Sequence, residues 1–226
     1  MQPYFFPYIG YFQLIRSVDK FVFYDDVNFI NRGWVNRNRI LVNGGASYFT
    51  VPLKGASQNK LIKDIDKFGQ ADKLRKSLEF AYRKAPFFSE IFTIVDSCLG
   101  GNFVKISELA IYSVTSICRY LGLEKDFEVS SEKYSEFAGM GKAERLIKIC
   151  QANGAETYHN AIGGQALYSK EVFADARIEL KFLKSLPVEY VQLNVPAFVP
   201  WLSIIDVLMF NSRGEALKLL DRFELL

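Results

Sequence analysis

Residues 1–26 read MQPYFFPYIGYFQLIRSVDKFVFYDD, and the order of textures in that stretch decides the fold class. Pro3 and Pro7 each lack an N–H and hold φ fixed, so the opening forms neither helix nor interior strand. Gly10 permits close approach of backbone to backbone or ligand. An aromatic, proline-pinned loop of this kind reads as the floor of a pocket, with Gln2, Tyr4, Tyr8, Gly10 and Tyr11 turned to a substrate. FQLIRSV then starts a helix at once. Residues 19–25, DKFVFYD, gather Phe21, Val22 and Phe23 and close on carboxylates. That is the pattern of a buried parallel strand whose carboxyl end faces a site.

Working outward, residues 39–42 and 48–53 read as strands around Asn43-Gly44-Gly45, a hairpin turn. Pro52 belongs at a strand end or edge, and residues 62–65 read as a short strand. The texture then turns helical. Leu74, Leu78, Ala81 and Tyr82 mark a helix over 72–83 that stops before Pro86. Residues 87–99 and 106–120 continue the pattern, the second ending at Gly122 as a C-cap. Residues 127–130 read as a strand and 141–153 as an amphipathic helix. Strands at 156–159 and 178–183 flank the GGQALY turn and a short helix near Glu171. Residues 201–210 and 215–223 read as closing helices. Strands interleaved with amphipathic helices mean α/β. Residues 1–66 form an N-terminal α/β half, and 67–226 form a helix-rich half completing the same domain.

Composition narrows the classes. The 226 residues can bury a sizeable core. No apolar run reaches the ~18 residues of a membrane span, and the start lacks a basic region leading into an apolar one. Cys98, Cys118 and Cys150 stand singly in helix-like segments, as buried hydrophobes in a reducing compartment do. With His159 the single histidine, no metal set is indicated. These features place the protein in the cytoplasm. A net charge of +3, spread along the chain, does not make the concentrated basic face that nucleic acid needs.

Several residues could carry chemistry. Asp25 and Asp26 end the buried strand and could act as base, metal ligand or amine binder. Adjacent strand residues point oppositely, so at most one of the two enters a given pocket. INRGWVNRNRI, residues 30–40, concentrates guanidiniums and amides: Arg forks bind phosphate, and Asn reads sugar hydroxyls or a base edge. Trp34 could stack on a ring. Asn36 and Asn38 would share one face, Arg37 and Arg39 the other, with Arg37 and Asn38 the favoured contacts. Lys54, with Ser57 and Gln58 just beyond, could hold phosphate without being a P-loop. Tyr158, His159 and Asn160 lead into Gly163 and Gly164, where backbone N–H groups could hold an anion. His159 alone titrates normally near neutrality. Ser203 and Asp206 lie one helical turn apart in an apolar segment, where an acid needs a partner. No Ser–His–Asp or Cys–His pattern stands out.

QPYFFPYIGYFQLI (2–15), DKFVFYDDVNFINRGWVNRNRIL (19–41), TVPLKGASQNKLI (50–62), YRKAPFF (82–88), AERLIKIC (143–150), YHNAIGGQALY (158–168) and FVPWLSIIDVLMFNS (198–212) resemble the WbqC-like family in order and over nearly the whole chain. The resemblance implies a transferase of O-antigen, lipopolysaccharide or surface-polysaccharide biosynthesis. Its implied reaction moves a glycyl-type aminoacyl group onto a nucleotide-linked amino sugar. Asp25, Asp26 or His159 would take the ammonium proton. Arg37, Asn38 and Lys54 would meet the diphosphate and the developing oxyanion. The activated donor stays open among ATP (with magnesium), a carrier protein and charged tRNA. Family chains usually carry a short apolar strand ahead of the QP element, so the first strand here is expected to be truncated.

A second likeness concerns layout. PYIGYFQLIRSVDKFVFYD is similar to the opening of nucleotidylyltransferases, with Tyr8, Gly10 and Tyr11 where that motif has His, Gly and His. It implies a parallel-sheet core and a nucleotidylyltransferase-like enzyme as the alternative. A non-catalytic sugar-nucleotide-binding protein is the third reading. Under the first reading the aromatic loop, the end of strand 19–25, residues 36–38 and the Lys54 loop converge on one pocket.

Overall fold

The computed structural model describes residues 1–69, 71–193 and 195–226. Helix α1 (Ile9–Arg16) follows Pro7 directly, and Ile9 to Ile15 are buried along it. It leads into β1 (Lys20–Phe23), shorter than the expected 19–25. The hairpin β2 (Arg37–Val42) and β3 (Gly45–Thr50) pairs Val42 with Gly45, leaving Asn43-Gly44 as its two-residue turn. Both turn residues have positive φ, +50° and +78°. That is the conformation a right-twisted hairpin selects and one that Asn-Gly adopts at least cost.

The expected strand 48–53 divides. Its end becomes β4 (Leu53–Lys54), antiparallel to β5 (Asp66–Lys67), because Pro52 has no N–H to continue the first ladder. Residues 62–65 are not a strand. Ile62–Asp64 forms a single 3-10 turn that buries Ile62.

The helical stretch runs through α2 (Asp72–Tyr82), α3 (Phe88–Gly100) and α4 (Ile106–Leu121). Gly122 closes α4 at φ +70°, the left-handed conformation glycine takes without strain. Then come β6 (Asp126–Val129), α5 (Ser130–Lys133), α6 (Lys142–Ala152), β7 (Thr157–Ala161), α7 (Lys170–Asp175) and β8 (Glu179–Ser185). The GGQA of GGQALY falls in a 3-10 turn, Ile162–Ala166.

The last two expectations change at their ends. Trp201 is not helical: it sits at φ +60°, and α8 (Ile204–Phe210) begins behind Ser203, whose Oγ accepts from Ile205 N–H. Helix α9 (Arg213–Leu220) stops short of Phe223, and Phe223–Leu225 is a strand, β9.

The architecture is mixed α/β with several small sheets. β1 and β6 are parallel with Phe21 opposite Phe127, β7 and β8 are parallel with His159 opposite Lys181, and β9 closes antiparallel on β8. The continuous parallel core of the nucleotidylyltransferase layout is not confirmed. The larger hydrophobic cluster takes Phe5, Phe6, Phe12, Phe23, Val114 and Leu208, and so draws on both ends of the chain. A smaller one holds Leu146, Cys150, Phe173, Ile178, Leu180 and Phe182. Among the described residues no helix is long and apolar enough to cross a membrane.

Candidate carboxylate site at the ends of the parallel strands

Parallel strands deliver the residues that follow them to the same side of the sheet. Asp25 and Asp26 follow β1; Ser130 and Ser131 follow β6. Five contacts join them. Ser131 N–H donates to Asp25 Oδ1 at 3.1 Å, and Ser131 Oγ donates to Asp25 Oδ2 at 2.9 Å. Ser130 Oγ lies 2.5 Å from Asp26 Oδ1 and 3.2 Å from Asp25 Oδ1. Its single proton goes to the shorter contact, and the oxygen accepts from Asp25 N–H at 3.2 Å.

Arg145 of α6 completes the cluster. Its Nη2 donates to Asp26 Oδ2 at 2.5 Å, and both side chains are nearly buried, 5% and 6% exposed. The guanidinium lies 4.7 Å over the Tyr24 ring, while its Nε is buried without a partner. Burial works against its charge, but Asp26 and Tyr24 outweigh burial and hold its pKa above the ordinary value. Arg145 therefore pairs with Asp26, while Asp25 is held by Ser130 and Ser131.

The aromatic loop lies elsewhere than expected. Phe5, Phe6 and Tyr11 are core residues rather than a pocket floor. The Tyr11 hydroxyl donates to the Gln2 carbonyl at 2.9 Å, and its ring lies 5.5 Å from that of Tyr4. Gly10 is needed because a Cβ there would stand 2.4 Å from the Tyr8 ring. Tyr8 meets Trp201 edge to face at 6.0 Å.

The INRGWVNRNRI segment is largely spent on the fold. Asn36 donates to Val51 C=O, and Asn38, buried, donates to Phe6 C=O and accepts from Arg39 N–H. Arg37 donates to Gly33 C=O and Arg32 C=O and lies 4.3 Å over the Tyr48 ring. Trp34 tilts against Tyr48 at 6.4 Å. Lys54 and Gln58 are exposed, and Ser57 Oγ accepts from Asn59 N–H.

His159 Nδ1 is 3.0 Å from Ser17 Oγ, and it makes no hydrogen bond to Asp25 or Asp26 among the described residues. Burial, then Lys181, pulls its pKa below 6.5. Asn160 accepts from Ala161 N–H and packs against buried Gly164, while Gly163 is exposed. Ser203 Oγ donates to Phe6 C=O at 2.7 Å. Asp206 is buried and accepts from Tyr82, Tyr190 and Gln192 at 2.8, 2.6 and 2.8 Å. Burial pushes its pKa up while those three donors pull it down.

Two grooves mark the surface. One, about 720 Å³, lies between β1 and β7, and the other, about 540 Å³, between the β2–β3 hairpin and α2. Neither gathers Tyr8, Asp25, Arg37 and Lys54. The expectation of a shared pocket is corrected in that respect, because the loop aromatics and Asn38 serve the core. Among the described residues no three His, Cys, Asp or Glu come together as a metal site.

Ser130, Ser131 and Arg145 were not legible as site residues in the sequence. The signal available was the SS pair closing a β-like run, the counterpart of the DD pair closing β1.

A model of the WbqC-like protein family matches residues 2–217. An uncharacterized protein of Mycobacterium tuberculosis, Rv1507c, is 32% identical over 96% of this chain and 94% of its own length. No solved structure matches the chain.

Proposed function

We propose, from the premise that this chain belongs to the WbqC-like protein family, that it transfers an aminoacyl group to the amine of a nucleotide-linked amino sugar. Membership suggests a polysaccharide-biosynthesis-related role, and the acceptor and reaction are the finer part of the reading. The observation that supports it is the charge balance at the strand ends. Asp26 pairs with the guanidinium of Arg145, whereas Asp25 is held by serine and backbone donors and makes no ion pair among the described residues. Such a centre attracts the ammonium of an amino sugar and can accept its proton. The freed amine then attacks the donor's carbonyl carbon. A C–N bond forms, the bond from the acyl carbon to its carrier breaks, and the carrier departs with the electron pair. Parallel strands present ligand sites beyond their carboxyl ends, where these residues lie.

The test mixes the protein with a dTDP-linked 4-amino sugar, glycine and ATP with magnesium, or with glycyl-tRNA, and follows the sugar nucleotide by mass. A glycyl adduct that disappears in Asp25→Asn supports the reading, provided the variant keeps its circular dichroism. No adduct with these donors or with a glycyl-loaded carrier protein sinks the transferase.

A further inference from the structure

The net charge of +3 hides an uneven distribution of sign. Lysines and arginines are spread along the chain, but carboxylates are scarce between residues 27 and 84. Twelve cations stand there against four acids, a surplus of eight, while the rest of the chain sums to −5. Three of the four acids are engaged already: Asp64 with Lys63, Asp66 with Lys105 and Asp72 with Arg75. Arg32, Arg37, Lys73 and Lys76 make no ion pair among the described residues.

Helix α2 shows where the surplus goes. Leu74, Leu78, Ala81 and Tyr82 form its inner stripe, packed on the larger hydrophobic cluster. Lys73, Lys76, Ser77 and Phe80, spaced i, i+3, i+4 and i+7, form a second stripe. That stripe holds no acid and lines the smaller groove, opposite Ile40 and Ser47 of the hairpin. Asp72 and Glu79 fall on the remaining flank, beside Arg75. Tyr48 lines the same groove from the edge strand β3. Arg37 covers one face of its ring at 4.3 Å, so the other face is the open one, and Trp34 stands 6.4 Å away. Trp34, Tyr48 and Phe80 are 37%, 57% and 63% exposed. The fold thus leaves three large rings in water beside four unpaired cations.

We propose that this face binds a single-stranded polynucleotide. Its bases stack on Trp34, on the open face of Tyr48 and on Phe80, and its phosphates meet Arg32, Arg37, Lys73 and Lys76. A mononucleotide would use one ring and leave most of the cations idle. An acidic peptide would use the cations and leave the rings in water. A strand of several nucleotides uses both sets at once, because every base has a π face and every linkage a negative charge. The source of the strand rests on the transferase reading: there it is the unpaired 3′ end of the aminoacyl-tRNA donor. The binding itself does not rest on that reading.

The experiment uses the full chain and a fluorescein-labelled single-stranded RNA of about twelve nucleotides, read by fluorescence anisotropy from roughly 50 to 200 mM KCl. The expected plot of log affinity against log salt falls with a slope of about −2 to −3, the value for three to four phosphate contacts on a single strand. Lys73→Gln with Lys76→Gln should make that slope shallower by about 1.4. Phe80→Ala should weaken binding about fivefold or more and leave the slope alone, since a stacked base is lost and no charge. Both changes fall on exposed positions, so thermal unfolding should not move. No binding at about 50 mM KCl overturns the site, as does equal competition by an RNA duplex or by polyglutamate, or unchanged affinity in both Phe80→Ala and Tyr48→Ala. Intact tRNA that competes better than tRNA trimmed of its unpaired 3′ nucleotides supports the donor assignment, and equal competition overturns it. No arm depends on turnover, so the binding site stands or falls separately from the transferase reading.

Discussion

Asp26 and Arg145 face each other out of water, and that burial sets what each is worth. Removing one partner strands the other as an uncompensated charge, at a cost of about 3–5 kcal/mol. Asp26→Asn and Arg145→Met should each lose stability on that scale in urea unfolding, whereas Arg145→Met with Asp26→Leu should recover most of it. The Arg16–Asp221 pair, 2.5 Å apart but half in solvent, is the control. Arg16→Ala should cost no more than about 1 kcal/mol. Equal losses from the two sites would show that the inner pair is not isolated from water. Asp25 and Asp26 were legible in the sequence because two acids closed an apolar run. Their partners were not, since Ser130 and Arg145 stand 105 and 119 positions away. Nothing local in SSEK or AERLIKIC reveals which strand end they will meet.

At the scale of elements, turn chemistry was read with most success. Asn43-Gly44 and Gly122 adopt the positive φ that their residue types favour. The failures share one cause: tertiary contacts override a local pattern. PWLSIID looked like helix from Trp201, but Arg39 Nη2 donates to Trp201 C=O at 3.0 Å and Ser203 N–H to Arg39 C=O, which hold that segment against β2. Asp206 then ties α8 to α2 through the Tyr82 hydroxyl, and to Tyr190 and Gln192 beyond. The expected role of Asp206 as a substrate contact competes with this structural one. Truncation distinguishes them. Asp206→Ala leaves the hydroxyls of Tyr82 and Tyr190 without their acceptor and Gln192 Nε2 with only its Val199 bond, at ~1–3 kcal/mol for each lost partner, so a loss of about 3–5 kcal/mol is expected. Tyr190→Phe removes one of those donors, together with a long contact from Gln192 Nε2, and should cost about 1 kcal/mol. Loss of ligand response with stability unchanged in Asp206→Ala would instead favour the substrate role.

Across the whole molecule, the two hydrophobic clusters imply two levels of stability. The larger contains Cys98 and Cys118, whose thiols burial pushes up to about 12. Cys150 belongs to the smaller cluster, lines the β1–β7 groove, and is pushed up to about 11. All three are free and buried, so none should react quickly with a thiol reagent at pH 8, where the thiolate is the nucleophile. Reaction therefore waits on opening. Opening free energy rises with the apolar contact that must be broken, and the small cluster has far less of it. Cys150 should label through sub-global opening, at a rate nearly independent of dilute urea. Cys98 and Cys118 should label only with global unfolding, at rates that climb steeply with urea. Quenched alkylation followed by peptide mass mapping resolves the three sites. Identical urea dependence for all of them would mean that both clusters melt as one unit.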